Sequence, residues 1–351
     1  MTLESLYLLP NRDSPVRWRD RLVDEIGLIA DPAESYRLVF SDSFDWLLYH
    51  SGRRLEWQEH PDYTLMRLLR LADGTTEAEL ELEAVGTRFA CELPASELRR
   101  IIEPLLDIRA FLPLATLKIR SHCLRLEDDE GKTRARLYVE TISRLTETGG
   151  TRLMQKCLRL QPLRGYEKSA QAIARKLEKK YGLQVSGDGL WEKAIAATGR
   201  QPGDYTGKLN ISLEPEMRAD AAVRRVMLDL FHAMQVNEQG TIEDLDSEFL
   251  HDFRVAVRRT RSALTELKWV FPPATLKRFK REFAWLGSIT TKLRDLDVYL
   301  IKFNRYKGML PDELREGLEP LRGFLRDKQK IEQSRHLAVQ LQSARYRRLK
   351  Q

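Results

Sequence analysis

The chain has 351 residues, of which 42% are hydrophobic and 32% charged, with a formal net charge of +7. That is length for two or three domains of roughly 100–200 residues each, and no apolar run approaches the roughly 18 residues of a membrane-spanning helix. The N-terminal stretch MTLESLYLLPNRDSPVRWRD lacks a basic region followed by a long apolar one, so no signal peptide is expected. The charge is unevenly spread. Residues 251–351 hold 24 Lys and Arg against 11 Asp and Glu, a local excess of +13, whereas the first 250 residues hold 35 against 41. Such asymmetry argues for a polyanionic partner of the last third. Three cysteines, Cys91, Cys123 and Cys157, are odd in number and widely spaced. They suit a reducing, cytosolic setting and are expected to be small buried hydrophobes, without disulfide or zinc.

In chain order, residues 1–160 read mainly as strands. YRLVF and TRARLYVETI alternate polar with β-branched or aromatic residues. EAELELEAV alternates strictly, with Glu77, Glu79, Glu81 and Glu83 on one face and Leu80 and Leu82 on the other. The segment from Ala115 to Ile142 reads as a hairpin turning at Asp-Asp-Glu-Gly. PASELRRIIEPLL predicts a helix capped by Ser96, and YEKSAQAIARKLEKKYGL an amphipathic helix ending at Gly182. Residues 184–211 carry VSGDGL and TGRQPGDYTGK, a Gly-, Asp- and Pro-rich composition expected of a linker. From about residue 212 to 351 the pattern becomes helical. It predicts four helices over roughly 214–236, 246–270, 273–306 and 312–350, broken at NEQG, FPPA and KGMLPD and forming an antiparallel bundle. The expected class is α+β: a β-rich domain over 1–183, a linker, then an all-α domain.

The second predicted helix contains HDFRVAVRRTRSALTELKW. At about 100° per residue, His251, Arg254, Arg258 and Arg261 share one arc of about 80°, while Arg259 points elsewhere. Like charges at this spacing repel by a few tenths of a kcal/mol each. Lys277, Arg278, Lys280 and Arg281 follow on the third helix with Lys292 and Arg294, and Arg345, Arg347 and Arg348 close the fourth. A single Arg-rich face is commonly only a solvated one. Clusters on three of four helices instead predict a groove of positive potential whose guanidinium forks match phosphate oxygens.

HDFRVAVRRTRSAL, LKRFKREFAWLGSITTKLRDLDVYL and LQSARYRRL together resemble the CHAD domain, the conserved-histidine α-helical domain. The family's His-x-x-Arg-Val-x-x-Arg-Arg-x-Arg element fits His251 to Arg261 without a gap. Its Arg-Asp-x-Asp-Val element fits Arg294, Asp295, Asp297 and Val298, and its Ser-x-Arg-Tyr element fits Ser343, Arg345 and Tyr346. The resemblance implies binding of inorganic polyphosphate, a cytoplasmic location and association with polyphosphate granules. It carries a site over to His251, Arg254, Arg258, Arg261, Lys292, Arg294 and Arg345, and the neighbouring basic residues Arg259, Lys277, Lys280, Arg281 and Arg348 extend it. His251 stands either against a backbone group or against phosphate, and Asp295 and Asp297 are expected to orient arginines. The family usually has two related four-helix halves. This sequence matches about one, so the binding surface is expected to be reduced.

The N-terminal half resembles a CYTH domain, the triphosphate-tunnel metalloenzyme fold, through VFSDSFDWLLYHSGRRLEW, EAELELEA and LRLQPLRGYEKSAQAIARKLEKKYGL. The resemblance implies an antiparallel β-barrel whose glutamates hold Mg²⁺ or Mn²⁺ while cations hold a triphosphate. The family's Glu-x-Glu-x-Lys opening falls on Thr2, Leu3, Glu4, Ser5 and Leu6, so one Glu and the Lys are missing. RLMQKCLRL presents Gln155 and Cys157 where carboxylates are expected. Glu79, Glu81 and Glu83, with Lys118 and Arg120 on another strand, are left as the weak candidates for a metal or triphosphate site. Catalysis is therefore not expected, and a metal is implied only if the barrel is active. Polyphosphate binding is the leading reading, a metal-dependent triphosphatase the alternative. Nucleic-acid binding ranks below them, for want of an RNA motif or a helix-turn-helix signature.

Overall fold

Alternation of side chains builds the first part of the molecule. In the computed structural model, which describes residues 5–83, 86–146, 149–187, 189–207 and 211–351, the strands form one ten-stranded sheet paired antiparallel throughout. The elements are β1 (Ser5–Leu9), α1 (Pro15–Ile26), β2 (Ile29–Ala30), β3 (Glu34–Asp42), α2 (Leu47–His50), β4 (Arg53–Glu59), β5 (Thr64–Arg70) and β6 (Thr76–Leu82). There follow α3 (Glu97–Leu106), β7 (Leu112–Glu127), β8 (Thr133–Leu145), β9 (Thr151–Pro162), α4 (Glu167–Tyr181), β10 (Val185–Ser186) and α5 (Leu190–Ala196). The strand order is β10-β1-β9-β8-β7-β3-β4-β5-β6, with β2 on β7.

The predicted hairpin is β7–β8. Asp128 closes its turn by accepting the amides of Glu130 and Lys132, and Gly131 takes the positive φ of 76° that the turn needs. Ser96 caps α3 through the Arg99 amide, and Gly182 ends α4 in the left-handed region. One sheet face buries Leu55, Trp57, Met66 and Leu68 under Leu98, Ile102 and Leu106 of α3. Farther along, Leu137, Val139 and Leu158 lie under Leu22 of α1 and Ile173 and Leu177 of α4. The opposite face of β3 and β7, with Leu38, Phe40, Leu117 and Ile119, packs with Trp191 and Ile195 of α5. Residues of β1, β3, β4, β5, β7, β8 and β9 line one common cavity of about 340 Å³, so the sheet curls into the barrel-like form expected.

Two details differ from expectation. The 184–211 stretch is more than a linker, because β10 and α5 belong to the first compact unit, which reaches Tyr205. Of the cysteines only Cys157 is buried; Cys123 is half-buried and Cys91 exposed.

The second unit comprises Ile108–Ala110 and Thr206–Gln351, and the latter stretch is helical: α6 (Ala219–Ile242), α7 (Ser247–Glu266), α8 (Pro273–Ile289), α9 (Thr291–Ile301), α10 (Phe303–Gly308), α11 (Asp312–Arg315), α12 (Glu319–Ile331), α13 (Ala338–Leu341) and α14 (Ala344–Lys350). Its core joins Leu230 and Met234 of α6, Phe253, Val257 and Leu264 of α7, Phe283 and Leu286 of α8, and Leu341 and Tyr346 near the C-terminus. The expected break at NEQG is absent: α6 runs on to Ile242. Gly240 sits there because Phe249 of α7 packs against it. A Cβ on Gly240 would lie 2.2 Å from the Phe249 ring, so the glycine answers to packing and not to a turn. The expected third helix divides at Thr290, whose hydroxyl bonds back to the Leu286 and Gly287 carbonyls. The fourth divides at a π-helical turn over Glu332–Leu337 and again before α14, whose first turn is capped by Ser343.

Candidate functional site

Asp246 starts α7 by accepting the amides of Glu248 and Phe249, and the apolar stripe Phe253–Val257–Leu264 anchors the helix in the core. That phase puts Arg258, Arg259 and Arg261 in solvent and leaves His251 and Arg254 half-buried. Arg254 reaches the α8–α9 junction, where its Nη1 donates to Thr290 Oγ1 at 2.7 Å, Thr291 Oγ1 at 3.2 Å and Gly287 O at 3.3 Å. Burial pulls its pKa below the ordinary guanidinium value; Asp295 opposes this, while Arg294 and Arg258 add to it. Arg261 covers the same junction, its Nη1 3.0 Å from where a Cβ on Gly287 would stand. Arg254 and Arg261 thus bracket Gly287.

Arg294 on α9 donates to Ser247 O at 3.0 Å and approaches Glu248 at 3.5 Å. Asp297 meets Arg294 only through space. Asp297 is buried and accepts a 2.6 Å hydrogen bond from Gln329 of α12, and burial lifts its pKa to about 6. Asp295 is exposed and bears on Arg254 only through space. Lys292 is exposed and lies 3.6 Å from Glu332.

A second cluster joins α8 to α14. Arg278, Arg281, Arg345 and Arg348 surround Glu282 in a shallow depression. Glu282 accepts from Arg345 Nε at 2.7 Å and from Arg281 Nε at 3.0 Å, and Arg345 above all holds its carboxyl below the usual range. Arg345 also stacks over Trp285 at 4.1 Å, and Arg278 donates to Arg348 O. The cap at Ser343 explains why the Ser-x-Arg-Tyr element fixes Arg345: Ser343 starts the helix while Tyr346 is fully buried.

Helical geometry connects the clusters. At about 100° per residue, Gly287 and Lys280 fall on one flank of α8, Arg278 and Glu282 on the other, and Lys277 and Arg281 on the exposed arc between them. The cations therefore form a band across α8, with Arg254 and Arg261 at one side and Arg345 and Arg348 at the other. The sequence-derived residues divide by role. Arg254, Arg294 and Arg345 bind helices together, whereas Arg258, Arg259, Arg261, Lys277, Arg281, Lys292 and Arg348 are exposed. Arg278 belongs with them through its position in the depression.

In the first unit the polar residues facing the cavity include Arg54, Glu56 and Gln58 of β4, Arg67 of β5, Glu140 of β8, and Gln155 and Arg159 of β9, with Asp73, Thr75 and Thr76 at the β5–β6 turn. Of these the sequence singled out Gln155 alone, as standing where a carboxylate is expected; the weak candidates for a site lie elsewhere. Glu79 is exposed and paired with Arg67 at 3.0 Å; Glu81 and Glu83 are exposed too, and Lys118 and Arg120 sit on the solvent side of β7. Thr2, Leu3 and Glu4 lie outside the described residues. The signal available was period-two alternation in RRLEWQE, which turns Arg54, Glu56 and Gln58 inward. The cavity carboxylates do not fit a metal. Glu56 is 2.9 Å from Arg54, and Glu140 2.7 Å from Arg159. Among the described residues no three His, Cys, Asp or Glu side chains gather as a cation site.

The CHAD domain family model matches residues 225–351, so this segment is a CHAD domain. No curated protein matches the sequence. Among solved structures, the chain is similar to a candidate adenylate cyclase from Bacillus halodurans at 12% identity and a TM-score of 0.37, over 53% of this chain and 92% of that one. It is similar also to HpAC1, a candidate adenylyl cyclase from Hippeastrum with a dominant triphosphatase activity, at 14% identity and a TM-score of 0.43, over 59% of this chain and 100% of that one. No helix among the described residues is long and apolar enough to cross a membrane.

Proposed function

We propose that the helical unit binds inorganic polyphosphate along the band of cations that crosses α8. The observation that carries this reading is Arg261 beside Gly287 on one flank of α8, where Lys280 also falls and with Arg258 on the same arc of α7, together with Arg278, Arg345 and Arg348 at the other flank and Lys277 and Arg281 on the exposed arc between them. Guanidinium forks match phosphate oxygens, and a band many cations long suits a repeating anion better than a single phosphate. The self-repulsion of these arginines is tolerated because the polymer neutralises it. The CHAD match supports the same ligand class. Such binding would bring the chain to polyphosphate granules in the cytoplasm, with the curled-sheet unit as scaffold or second docking surface.

The test is a titration of labelled long-chain polyphosphate across a salt series, with DNA, RNA and triphosphate as competitors at equal phosphate concentration. Affinity should fall steeply with salt, because each neutralised phosphate releases counterions. Nucleic acid displacing polyphosphate on equal terms would favour the nucleic-acid reading.

One observation favours a second reading, a triphosphate-processing enzyme: the sheet encloses a cavity lined by three arginines, two glutamates and Asp73. Its Arg–Glu pairs neutralise one another, which leaves little charge for a triphosphate. Phosphate release in Mg²⁺ or Mn²⁺ that is lost on Glu56→Gln would overturn the non-catalytic assignment.

A further inference from the structure

Helix α12 (Glu319–Ile331) is amphipathic, yet none of its residues is buried. Leu321, Phe324 and Ile331 stay 46%, 56% and 40% exposed, and Leu314 just before them 58%. At about 100° per residue, Leu321, Phe324, Lys328 and Ile331 share one arc of about 80°, and the Lys328 ammonium lies 5.5 Å from the Phe324 ring centre. The flank turned to the bundle is held by polar contacts: Arg322 stacks on Phe303 at 4.5 Å, and Gln329 donates to Asp297. A helix of this length gains most of its stability from burying an apolar face. This one leaves much of that face in water.

Charge is segregated along the same stretch of chain, with Lys328 the cation on the stripe itself. Residues 312–319 hold four carboxylates and one guanidinium, whereas residues 326–335 hold four cations and two carboxylates. Asp312 and Glu316 expose 84% and 85% of their side chains. Lys307 shares Glu316 and Glu319 and offsets part of the negative end. At the positive end, Glu332 is turned to Lys292.

We propose that a second copy of the chain covers this stripe, the two α12 helices packing antiparallel about a two-fold axis near Leu321 and Phe324. Only the antiparallel arrangement sets the acidic end of each copy on the basic end of the other; a parallel one sets like on like. Leu314 of one copy then meets Ile331 of the other. The stripe spans roughly 20 residues, about 30 Å of helix, so the interface is small and the dimer weak, dissociating on the order of 10 µM. None of these residues belongs to the cation band, so the inference is independent of polyphosphate binding.

Sedimentation equilibrium of the full chain over a range of concentrations tests it. Leu321→Asp with Phe324→Asp should leave a monomer, with circular dichroism checking that helicity is kept. Two surface variants avoid the folding question. Glu313→Lys with Glu316→Lys makes both ends basic, and Lys328→Glu with Lys330→Glu makes both ends acidic. Each alone should dimerise at least about tenfold more weakly, and the two mixed should recover a heterodimer near the original affinity. A wild-type chain that stays monomeric at about ten times the expected dissociation constant, or a dimer indifferent to both reversals and to mixing, overturns the proposal.

Discussion

Reversing Arg258 and Arg261 together is the most direct probe of the cation band. Both side chains are exposed. Arg258→Glu with Arg261→Glu should therefore leave helicity and thermal midpoint nearly unchanged. Each reversal removes an attraction to phosphate and adds a repulsion, worth about 1–2 kcal/mol per site at an exposed position. The pair should cost about 2–4 kcal/mol, or roughly 30- to 1,000-fold in affinity. If the polymer behaves like a single-stranded nucleic acid, the slope of log K against log salt should also flatten by about 1.4, from two lost contacts at about 0.7 each. Near 1 M salt, where the Debye length is about 3 Å, variant and wild type should converge. Fluorescence anisotropy of labelled polyphosphate at four or five salt concentrations reads both quantities. A folded variant with unchanged affinity and slope would refute the assignment. Arg254→Glu is a poorer probe, because it would set a carboxylate against the Gly287 carbonyl that Arg254 now bonds.

Three further outcomes follow from the same geometry. Gly240→Ala should destabilise the helical unit by about 1–3 kcal/mol in denaturant titration, since its Cβ would meet the Phe249 ring at 2.2 Å; an unchanged midpoint would show that the α6–α7 contact is loose. Glu282→Gln should tighten polyphosphate binding severalfold at low salt, because it removes the resident anion among four arginines; weaker binding in a folded variant would mean that Glu282 is needed to position Arg281 and Arg345. Asp297 has a folded pKa of about 6, above an unfolded value of about 4, so the native state holds its proton longer and stability falls as pH rises from about 4 to 6. Asp297→Asn should accordingly stabilise the helical unit by about 1–3 kcal/mol at pH 8 and hardly at all at pH 4; a gain equal at both pH values would discount the carboxyl as its source.

Much of this was legible because periodicity is local. The alternation in β3, β6, β7 and β8, the caps at Ser96 and Gly182 and the apolar stripe of α7 follow from sequence spacing. What spacing does not encode is which neighbour a residue meets. Gly240 reads as a turn until Phe249 is seen against it. Arg254 and Arg258 look alike on a helical wheel, yet one is spent on a helix junction and the other stands in water. In the first unit the glutamate-rich strand β6 drew attention by composition, while Glu56 and Glu140 face the cavity from strands whose few carboxylates give little signal.

The bracketing of Gly287 by Arg254 and Arg261 has a mechanical consequence. Arg254 ties α7 to the start of α9, and Arg261 lies beside the same joint, so under the proposed reading an anion held by Arg261 would be coupled to the tightness of that joint. A long anion threaded across it would act as an external splint, raising the unfolding temperature of the helical unit in proportion to how much of the band it spans.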